Sequence, residues 1–156
     1  MWHRIGQKGE RFWGRRGAGI FFTDGKQVLL LKRSSKGDNA KTWGLPGGTA
    51  KEGETEIGTA TRETREECGT VQGRRFDSLV EENGHHHWTT FFFKVESTFD
   101  CKISDEHTES RWVPFDKIEE LTLHPKLQAS WDRHMSVVNK HFHKNLGFRE
   151  WLVKQV

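Results

Sequence analysis

The chain has 156 residues, of which 33% are hydrophobic and 30% are charged, so it is long enough for one domain with a buried core. No apolar run approaches the roughly 20 residues of a membrane-spanning helix, and the first residues lack the apolar stretch of a secretory signal. Two cysteines, Cys68 and Cys101, are too few for a disulfide framework. We therefore expect reduced thiols, a cytoplasmic location, and a Cys68 side chain that is buried and is not a nucleophile.

The net charge is +3 and the isoelectric point is about 9.0. Basic residues gather near both ends of the chain and at Lys32 and Arg33; those near the ends are Lys8, Arg11, Arg15, Arg16, Lys140, Lys144, Arg149 and Lys154. This distribution suits an anionic substrate, but a solvated surface explains it equally well. Charge alone does not predict nucleic-acid binding here, because no pattern of interleaved aromatic residues accompanies it.

The first half of the chain predicts two strands and a loop. Residues 19–22 are apolar and predict a strand, Asp24-Gly25 is a hairpin turn, and residues 28–31 predict the returning strand. This second strand is apolar enough to be buried on both faces. Residues 34–40 predict a polar loop.

A helix should follow, with Thr55 as its N-terminal cap and Gly69 at its end. Its less polar stripe comprises Ile57, Ala60, Thr61 and Thr64. Residues 76–82 and 88–95 predict strands joined at Asn83-Gly84, and residues 111–113 predict a short strand. A short helix over 114–121 and an amphipathic helix over about 124–142 complete a mixed α/β sandwich. We predict one domain over 1–156.

The predicted central helix carries an unusually acidic face. Glu63, Glu66 and Glu67 stand at i, i+3 and i+4, so their side chains share one side of the helix. Like charges at this spacing repel by a few tenths of a kcal/mol per pair. Taken alone, these glutamates would be explained by an exposed helix with local Arg–Glu pairs. Together with Gly47, Gly48, Glu54 and Gly69, however, they indicate a divalent-cation site.

The stretch from Gly48 to Thr70 resembles the Nudix box, G-x5-E-x7-R-E-U-x-E-E-x-G-U, in which U is a bulky apolar residue. The residues that match its fixed positions are Gly48, Glu54, Arg62, Glu63, Glu66, Glu67 and Gly69. Thr64 and Thr70 depart from the pattern at the U positions, which concerns helix packing more than the acidic face. The resemblance to MutT-like Nudix hydrolases implies an α/β/α sandwich with a mixed β-sheet, in which the box, residues 48–70, forms a loop–helix–loop.

The resemblance also implies roles for the box residues around Mg²⁺, with Mn²⁺ as a substitute. Glu66 and Glu67 would bind the metal, and Glu63 would be a further ligand or the general base. The carbonyl of Gly47, just before the box, would be another ligand. Arg62 stays protonated and cannot be a base, so it would form a bidentate pair with Glu54 or Glu63 and fix their orientation. Arg62 and Glu54 would together form a scaffold that tunes the base, and Glu54 could also contact the metal through water.

Outside the box, the family often supplies one more acid from the region before the late strand. Glu106 and Glu109 are the candidates, with Glu106 preferred because its loop position gives it more reach; a solvated loop is the alternative for both. The identity of the base therefore stays open between Glu63 and these two residues.

Four residues are candidates for substrate contacts. Lys32 and Arg33 end the second predicted strand and could bind phosphate, and Trp43 could line the pocket or belong to the core. His86 lies in the run His85-His86-His87 after a turn, where one ring could face the cleft. A solvated hairpin explains this run better.

These features predict an enzyme that hydrolyses a phosphoanhydride in a nucleoside diphosphate linked to another moiety. A nucleoside triphosphate pyrophosphohydrolase releasing NMP and pyrophosphate is the leading hypothesis. Alternatives are an ADP-ribose or dinucleoside polyphosphate hydrolase, an RNA 5′-end pyrophosphohydrolase guided by the basic ends of the chain, and a non-catalytic nucleotide-binding module. We expect no membrane partner and a monomer or homodimer. The sequence motifs do not specify the preferred nucleotide or the phosphorus that is attacked.

Overall fold

The computed structural model describes residues 3–5 and 12–142, with side chains from residue 15 onward. The strands are β1 (His3–Ile5), β2 (Phe12–Thr23), β3 (Gln27–Arg33), β4 (Trp43–Gly44), β5 (Gly47–Thr49), β6 (Arg74–Asn83), β7 (His86–Lys94) and β8 (His107–Pro114). The helices are α1 (Glu56–Cys68), a 3₁₀ helix (Phe115–Glu120) and α2 (Pro125–Phe142). None of the helices in this part of the chain is long and apolar enough to cross a membrane.

The strands form a mixed sheet, as predicted. Its main order is β4-β3-β2-β7-β6, with β1 and β5 pairing with β2 and β8 pairing with β3. Only the β2–β7 pair among the described strands is parallel. Hydrophobic clusters cover both faces of this sheet, which explains why β2 and β3 are apolar at consecutive positions.

Two hydrophobic clusters lie on the two faces of the sheet. Phe21 of β2 belongs to the cluster that contains Leu127 and Val138 of α2. Its neighbour Ile20 belongs to the other cluster, which contains Ala60 and Cys68 of α1. Because successive strand residues point to opposite faces, β2 serves both cores. The predicted α/β/α sandwich is confirmed.

Local signals set the ends of α1. The Thr55 hydroxyl accepts a 3.1 Å hydrogen bond from the Gly58 N–H, and Gly69 is left-handed, with φ of 81°, and donates to the Arg65 carbonyl. Thr64 stands where the box pattern has a bulky apolar residue. It is fully buried, and its hydroxyl has no hydrogen-bond partner among the described residues. Both predicted caps are confirmed.

The expectation of reduced cysteines is wrong in this structure, where Cys68 and Cys101 form a disulfide. The pair closes because the loop after β7 runs against the end of α1. The Lys102 N–H donates to the Cys68 carbonyl at 2.9 Å and the Ser104 N–H to the Glu67 carbonyl at 3.3 Å. Nothing in the local sequence indicates this approach, which is made between residues 33 positions apart. The predicted burial of Cys68 is confirmed.

The later elements differ little from their predictions. Strands β6 and β7 form the expected hairpin through Asn83-Gly84, and α2 occupies the predicted range. The short helix is a 3₁₀ helix. The main difference is that β8 starts at His107, so Glu109 lies in a strand and not in the predicted loop.

Candidate active site

A cavity of about 400 Å³ opens where β5 and α1 meet the end of β3 and the start of β8. The residues lining it are Arg33, Ser34, Lys36, Gly47, Gly48, Thr49, Glu63, Glu67, Glu106 and His107. It therefore combines carboxylates from two separate segments with cationic side chains from the end of β3 and the loop after it.

Two glycines allow close approaches at this cavity, Gly47 between β5 and β2 and Gly48 between β5 and α1. The Gly47 N–H donates to Glu67 Oε1 at 2.6 Å. A β-carbon on Gly47 would lie 2.5 Å from the Ala18 carbonyl oxygen, and one on Gly48 would lie 2.4 Å from the carboxyl carbon of Glu63. Because side chains at i and i+4 share a helix face, Glu63 and Glu67 both reach the strand that these glycines leave open.

Burial disfavours the charged forms of the Glu63 and Glu67 carboxylates. Burial raises the pKa of Glu67 to about 8, reinforced by the charges of Glu63 and Glu106 and opposed by the Gly47 hydrogen bond. Burial also raises the pKa of Glu63, against the effect of Arg62. A nearby cation would favour the charged form of both groups.

The donor set fits a divalent cation. Ligand atoms of Glu67, Glu106 and His107 all lie within 4.8 Å of one another. Carboxylate oxygens suit Mg²⁺ and Mn²⁺. The buried Nδ1 of His107 also has no hydrogen-bond partner among the described residues.

Arg62 joins three carboxylates beside the cavity. Its Nε and Nη2 donate to Glu54 at 2.7 and 3.1 Å, and its Nη1 donates to Glu63 at 3.0 Å and to Glu66 at 3.2 Å. Its Nη2 also donates to the Thr49 carbonyl at 3.1 Å. The Arg62 hydrogen bonds lower the pKa of Glu54 to about 2, and the same pairing raises the pKa of Arg62. The guanidinium thus orients Glu54 and Glu63 through a forked contact.

Glu66 differs from Glu63 and Glu67 in its surroundings. Its side chain is 55% exposed, contacts Arg62, and is not among the residues lining the cavity. The metal role implied for Glu66 by resemblance stays a prediction that this arrangement does not support directly.

The structure separates the two late acids. Glu106 lines the cavity, whereas Glu109 pairs with Arg111 at 2.6 Å and lies outside it. The β3–β8 register shifts between Lys32, opposite Glu109, and Arg33, opposite His107, which leaves Thr108 as an extra residue. A bulge of this kind breaks side-chain alternation and re-aims neighbouring side chains.

Of the predicted substrate residues, only Arg33 lines the cavity. Trp43 is buried in the core, where Lys32 Nζ lies 6.0 Å and the Arg111 guanidinium 4.9 Å from its ring. His86 is exposed at the start of β7. The structure therefore provides no support for substrate contacts by Lys32, Trp43 or His86.

Sequence reasoning missed four residues that line the cavity, namely Ser34, Lys36, Thr49 and His107. Ser34 and Lys36 belong to a segment that was predicted only as a polar loop. His107 follows Glu106 directly, and that adjacency was the one available signal.

A family model of the NUDIX domain matches residues 13–136 of this chain. The chain belongs to the Nudix family. The predicted resemblance is thereby confirmed, and α1 with its flanking loops is the Nudix box of this member.

Two curated relatives share this Nudix region. "Putative 8-oxo-dGTP diphosphatase 3" of Mycobacterium tuberculosis is 34% identical over 143 residues, which cover 83% of this chain and 66% of that protein. A "Nucleoside triphosphate pyrophosphatase/Nudix hydrolase fusion protein" of Bifidobacterium longum is 31% identical over 80% of this chain and 29% of that protein. The chain thus spans just under two thirds of the first relative and less than a third of the second.

Solved structures show the same Nudix fold. RenU, a Nudix hydrolase from M. smegmatis, superposes with a TM-score of 0.74 and 28% identity, covering 90% of this chain and 96% of that one. An Ap4A hydrolase from C. elegans gives a TM-score of 0.62 over 81% of this chain and 98% of that one. At 20% identity, the second likeness concerns the fold alone.

Proposed function

We propose that this protein is a Mg²⁺-dependent Nudix pyrophosphohydrolase that cleaves a nucleoside triphosphate into NMP and pyrophosphate. The observation that carries the proposal is a single cavity in which Glu63, Glu67 and Glu106 lie with Arg33 and Lys36. Carboxylates alone would suit any cation site, and basic residues alone any anion. Their combination suits a polyanionic substrate that arrives with a divalent metal.

Glu67 and Glu106 are the residues we assign to the metal, with Glu63 beside them. The Gly47 carbonyl and Glu66 join this set by resemblance to the family. When bound, Mg²⁺ would neutralise phosphate charge and lower the pKa of water. The low exposure of Glu67, 5%, keeps its carboxylate from relaxing into solvent.

Arg33 and Lys36 are the residues we assign to the phosphates. Arg33 Nε donates to the Asp38 carbonyl at 3.1 Å, which ties the guanidinium to the loop that follows β3. An anchored guanidinium can present its remaining donors to phosphate oxygens in a planar fork. Lys36, in the same loop, adds a second positive charge to the cavity lining.

A glutamate must accept the proton of the attacking water, and two residues in the cavity are candidates. Glu63 is half-buried and held by Arg62, whereas Glu106 is exposed to solvent. Substituting the true base should remove the acidic limb of the pH–rate profile. Comparing profiles of Glu63→Gln and Glu106→Gln therefore distinguishes them.

The name of the mycobacterial relative, 34% identical to this chain, makes 8-oxo-dGTP the first substrate to test. We would assay purified protein with Mg²⁺ or Mn²⁺ against 8-oxo-dGTP, the common nucleoside triphosphates, ADP-ribose, a diadenosine polyphosphate and 5′-triphosphate RNA. Release of pyrophosphate and NMP from a triphosphate supports the proposal. Binding of a nucleotide without turnover would favour the non-catalytic module.

The RNA alternative has a separate test. Contacts to several RNA phosphates make affinity fall steeply with salt, whereas turnover of a small nucleotide changes much less. Most of the basic residues that motivated this alternative, including Lys8, Arg11, Lys144, Arg149 and Lys154, lie outside the described residues. The cytoplasmic location and the monomeric or homodimeric state also stay predictions.

A further inference from the structure

His107 is a histidine inside the carboxylate cavity. It is the first residue of β8 and follows Glu106, and its side chain is only 7% exposed. Its Nε2 lies 3.7 Å from Glu67 Oε2. The cavity therefore contains an imidazole beside the carboxylates that we assign to the metal.

The ring of His107 is poorly satisfied by the residues around it. Nδ1 is buried without a hydrogen-bond partner among the described residues, and the 3.7 Å separation of Nε2 from Glu67 is too long for a hydrogen bond. Buried polar atoms normally have partners. A group that enters the cavity and accepts the nitrogen lone pair would remove this deficit.

The local backbone explains why the ring is there. In the β3–β8 ladder, His107 lies opposite Arg33 at the point where the register shifts. The extra residue at this bulge separates the orientation of His107 from that of Glu109, which lies outside the cavity. Bulges are common beside active sites because they re-aim side chains in this way.

We propose that His107 is a nitrogen ligand of the divalent cation, so that the site binds Mn²⁺ or Co²⁺ more tightly than the Mg²⁺ that also supports the reaction. The inference rests on the proposed function, because it uses the cation that Glu67 and Glu106 would bind. The ligand atoms of these three residues lie within 4.8 Å of one another, so small side-chain shifts bring them within the roughly 4.2 Å that two metal–ligand bonds of about 2.1 Å span. Imidazole suits first-row transition metals, whereas Mg²⁺ is bound through oxygen.

Electron spin echo modulation of Mn²⁺ bound to the full chain tests this assignment. A directly bound imidazole should produce ¹⁴N modulation in the wild type, and both His107→Asn and His107→Gln should abolish it. Calorimetry on the same proteins should show Mn²⁺ affinity falling about 10-fold or more in both variants, with Mg²⁺ affinity changing much less. The Asn side chain places its amide near the position of Nδ1, and the Gln side chain places its amide near the position of Nε2.

His85→Asn is the matched control, because His85 is exposed on the β6–β7 hairpin. It should retain the nitrogen modulation and the Mn²⁺ affinity. Bound Mn²⁺ without ¹⁴N modulation in the wild type would overturn the inference and leave the proposed function standing, as would modulation that persists in both His107 variants. Absence of any Mn²⁺ or Mg²⁺ binding would overturn both. The wild-type spectrum decides even if a variant fails to fold.

Discussion

Two glutamates of the box, Glu54 and Glu67, differ in how many hydrogen bonds they receive from the protein itself. Glu54 accepts hydrogen bonds from Arg62, Thr59 and the Lys51 N–H, and its pKa is lowered to about 2. Glu67, one turn beyond Glu63, is buried with one backbone donor, and its pKa is raised to about 8.

This difference separates scaffolding from chemistry. The Arg62–Glu54 pair is complete without any ion, as expected of an element that sets geometry. In the cluster of Glu67, Glu106 and His107, Glu67 and His107 are buried with few hydrogen-bond partners, and such a site gains most from an added cation. The finished framework therefore joins Glu54, before α1, to Arg62 on α1, whereas the unfinished ligand set joins Glu67 on α1 to Glu106 and His107 at the start of β8.

The largest effect should come from the unfinished ligand set. Glu67→Gln removes a charge that we assign to the metal, so turnover should fall by about 10²–10³-fold. The fold should persist, because an amide can still accept the Gly47 hydrogen bond. Steady-state kinetics and circular dichroism measure the two quantities. Glu109→Gln, outside the cavity, is the control and should remain close to wild type. Near wild-type turnover in Glu67→Gln would contradict the metal assignment.

Substitution in the finished framework should cost less. Arg62→Lys keeps the charge but loses the fork that contacts Glu54 and Glu63 together. Turnover or Mg²⁺ affinity should fall by about 10–100-fold. Arg65→Lys, an exposed position on the same helix, is the matched control. Equal effects of the two substitutions would show that forked pairing has no role in the site.

The disulfide connects the end of α1 with the loop that leads to Glu106. Cys101→Ser should lower the free energy of unfolding by about 2–4 kcal/mol, because the bonded cysteines are 33 positions apart and the bond closes a long loop. Urea unfolding of the oxidised wild type and the variant measures the difference. Treating the wild type with a reductant should reproduce the loss, and treating the variant should change nothing. An unaltered unfolding midpoint in both cases would show that the bond does not form in solution.

The ion pair between Glu54 and Arg62 should make the free energy of unfolding depend on pH in the acidic range. Its pKa is about 2 in the folded protein against 4.5 ordinarily, so its contribution is present above pH 4.5 and is lost as the pH falls toward 2. Because the pair is partly exposed, we expect about 1 kcal/mol. Urea unfolding at several pH values should show a shallower acid loss in Glu54→Gln. Parallel curves for both proteins would contradict the assignment.

A gain in stability of similar size is expected in the core beneath the acidic face. Thr64 is fully buried and its hydroxyl has no partner among the described residues. Thr64→Val replaces this hydroxyl with a methyl group of similar shape, so the free energy of unfolding should rise by about 1 kcal/mol. Thr61→Val is the comparison, since the Thr61 hydroxyl donates to the Ile57 carbonyl at 2.8 Å. Destabilisation by Thr64→Val would indicate an undetected partner for the hydroxyl.

Much of the fold was predictable because its signals are local. Thr55 and Gly69 set the ends of α1 through contacts within one turn, and Asn83-Gly84 set a hairpin whose partners are adjacent in the chain. The family match likewise rests on residues within one short segment. Long-range features were harder, and the Cys68–Cys101 bond was missed because it depends on where the loop after β7 comes to lie.

By itself, the sequence determined the acidic helix face and its Arg62 clamp, since helical periodicity places Glu63 and Glu67 on one side whatever surrounds them. Only the tertiary structure decided which other residues meet that face. It placed Trp43 in the core, left Glu109 outside the cavity and brought His107 in. For Glu109 and His107 the reason is physical: a one-residue bulge between β3 and β8 redirects side chains, and a bulge depends on pairing with a distant strand.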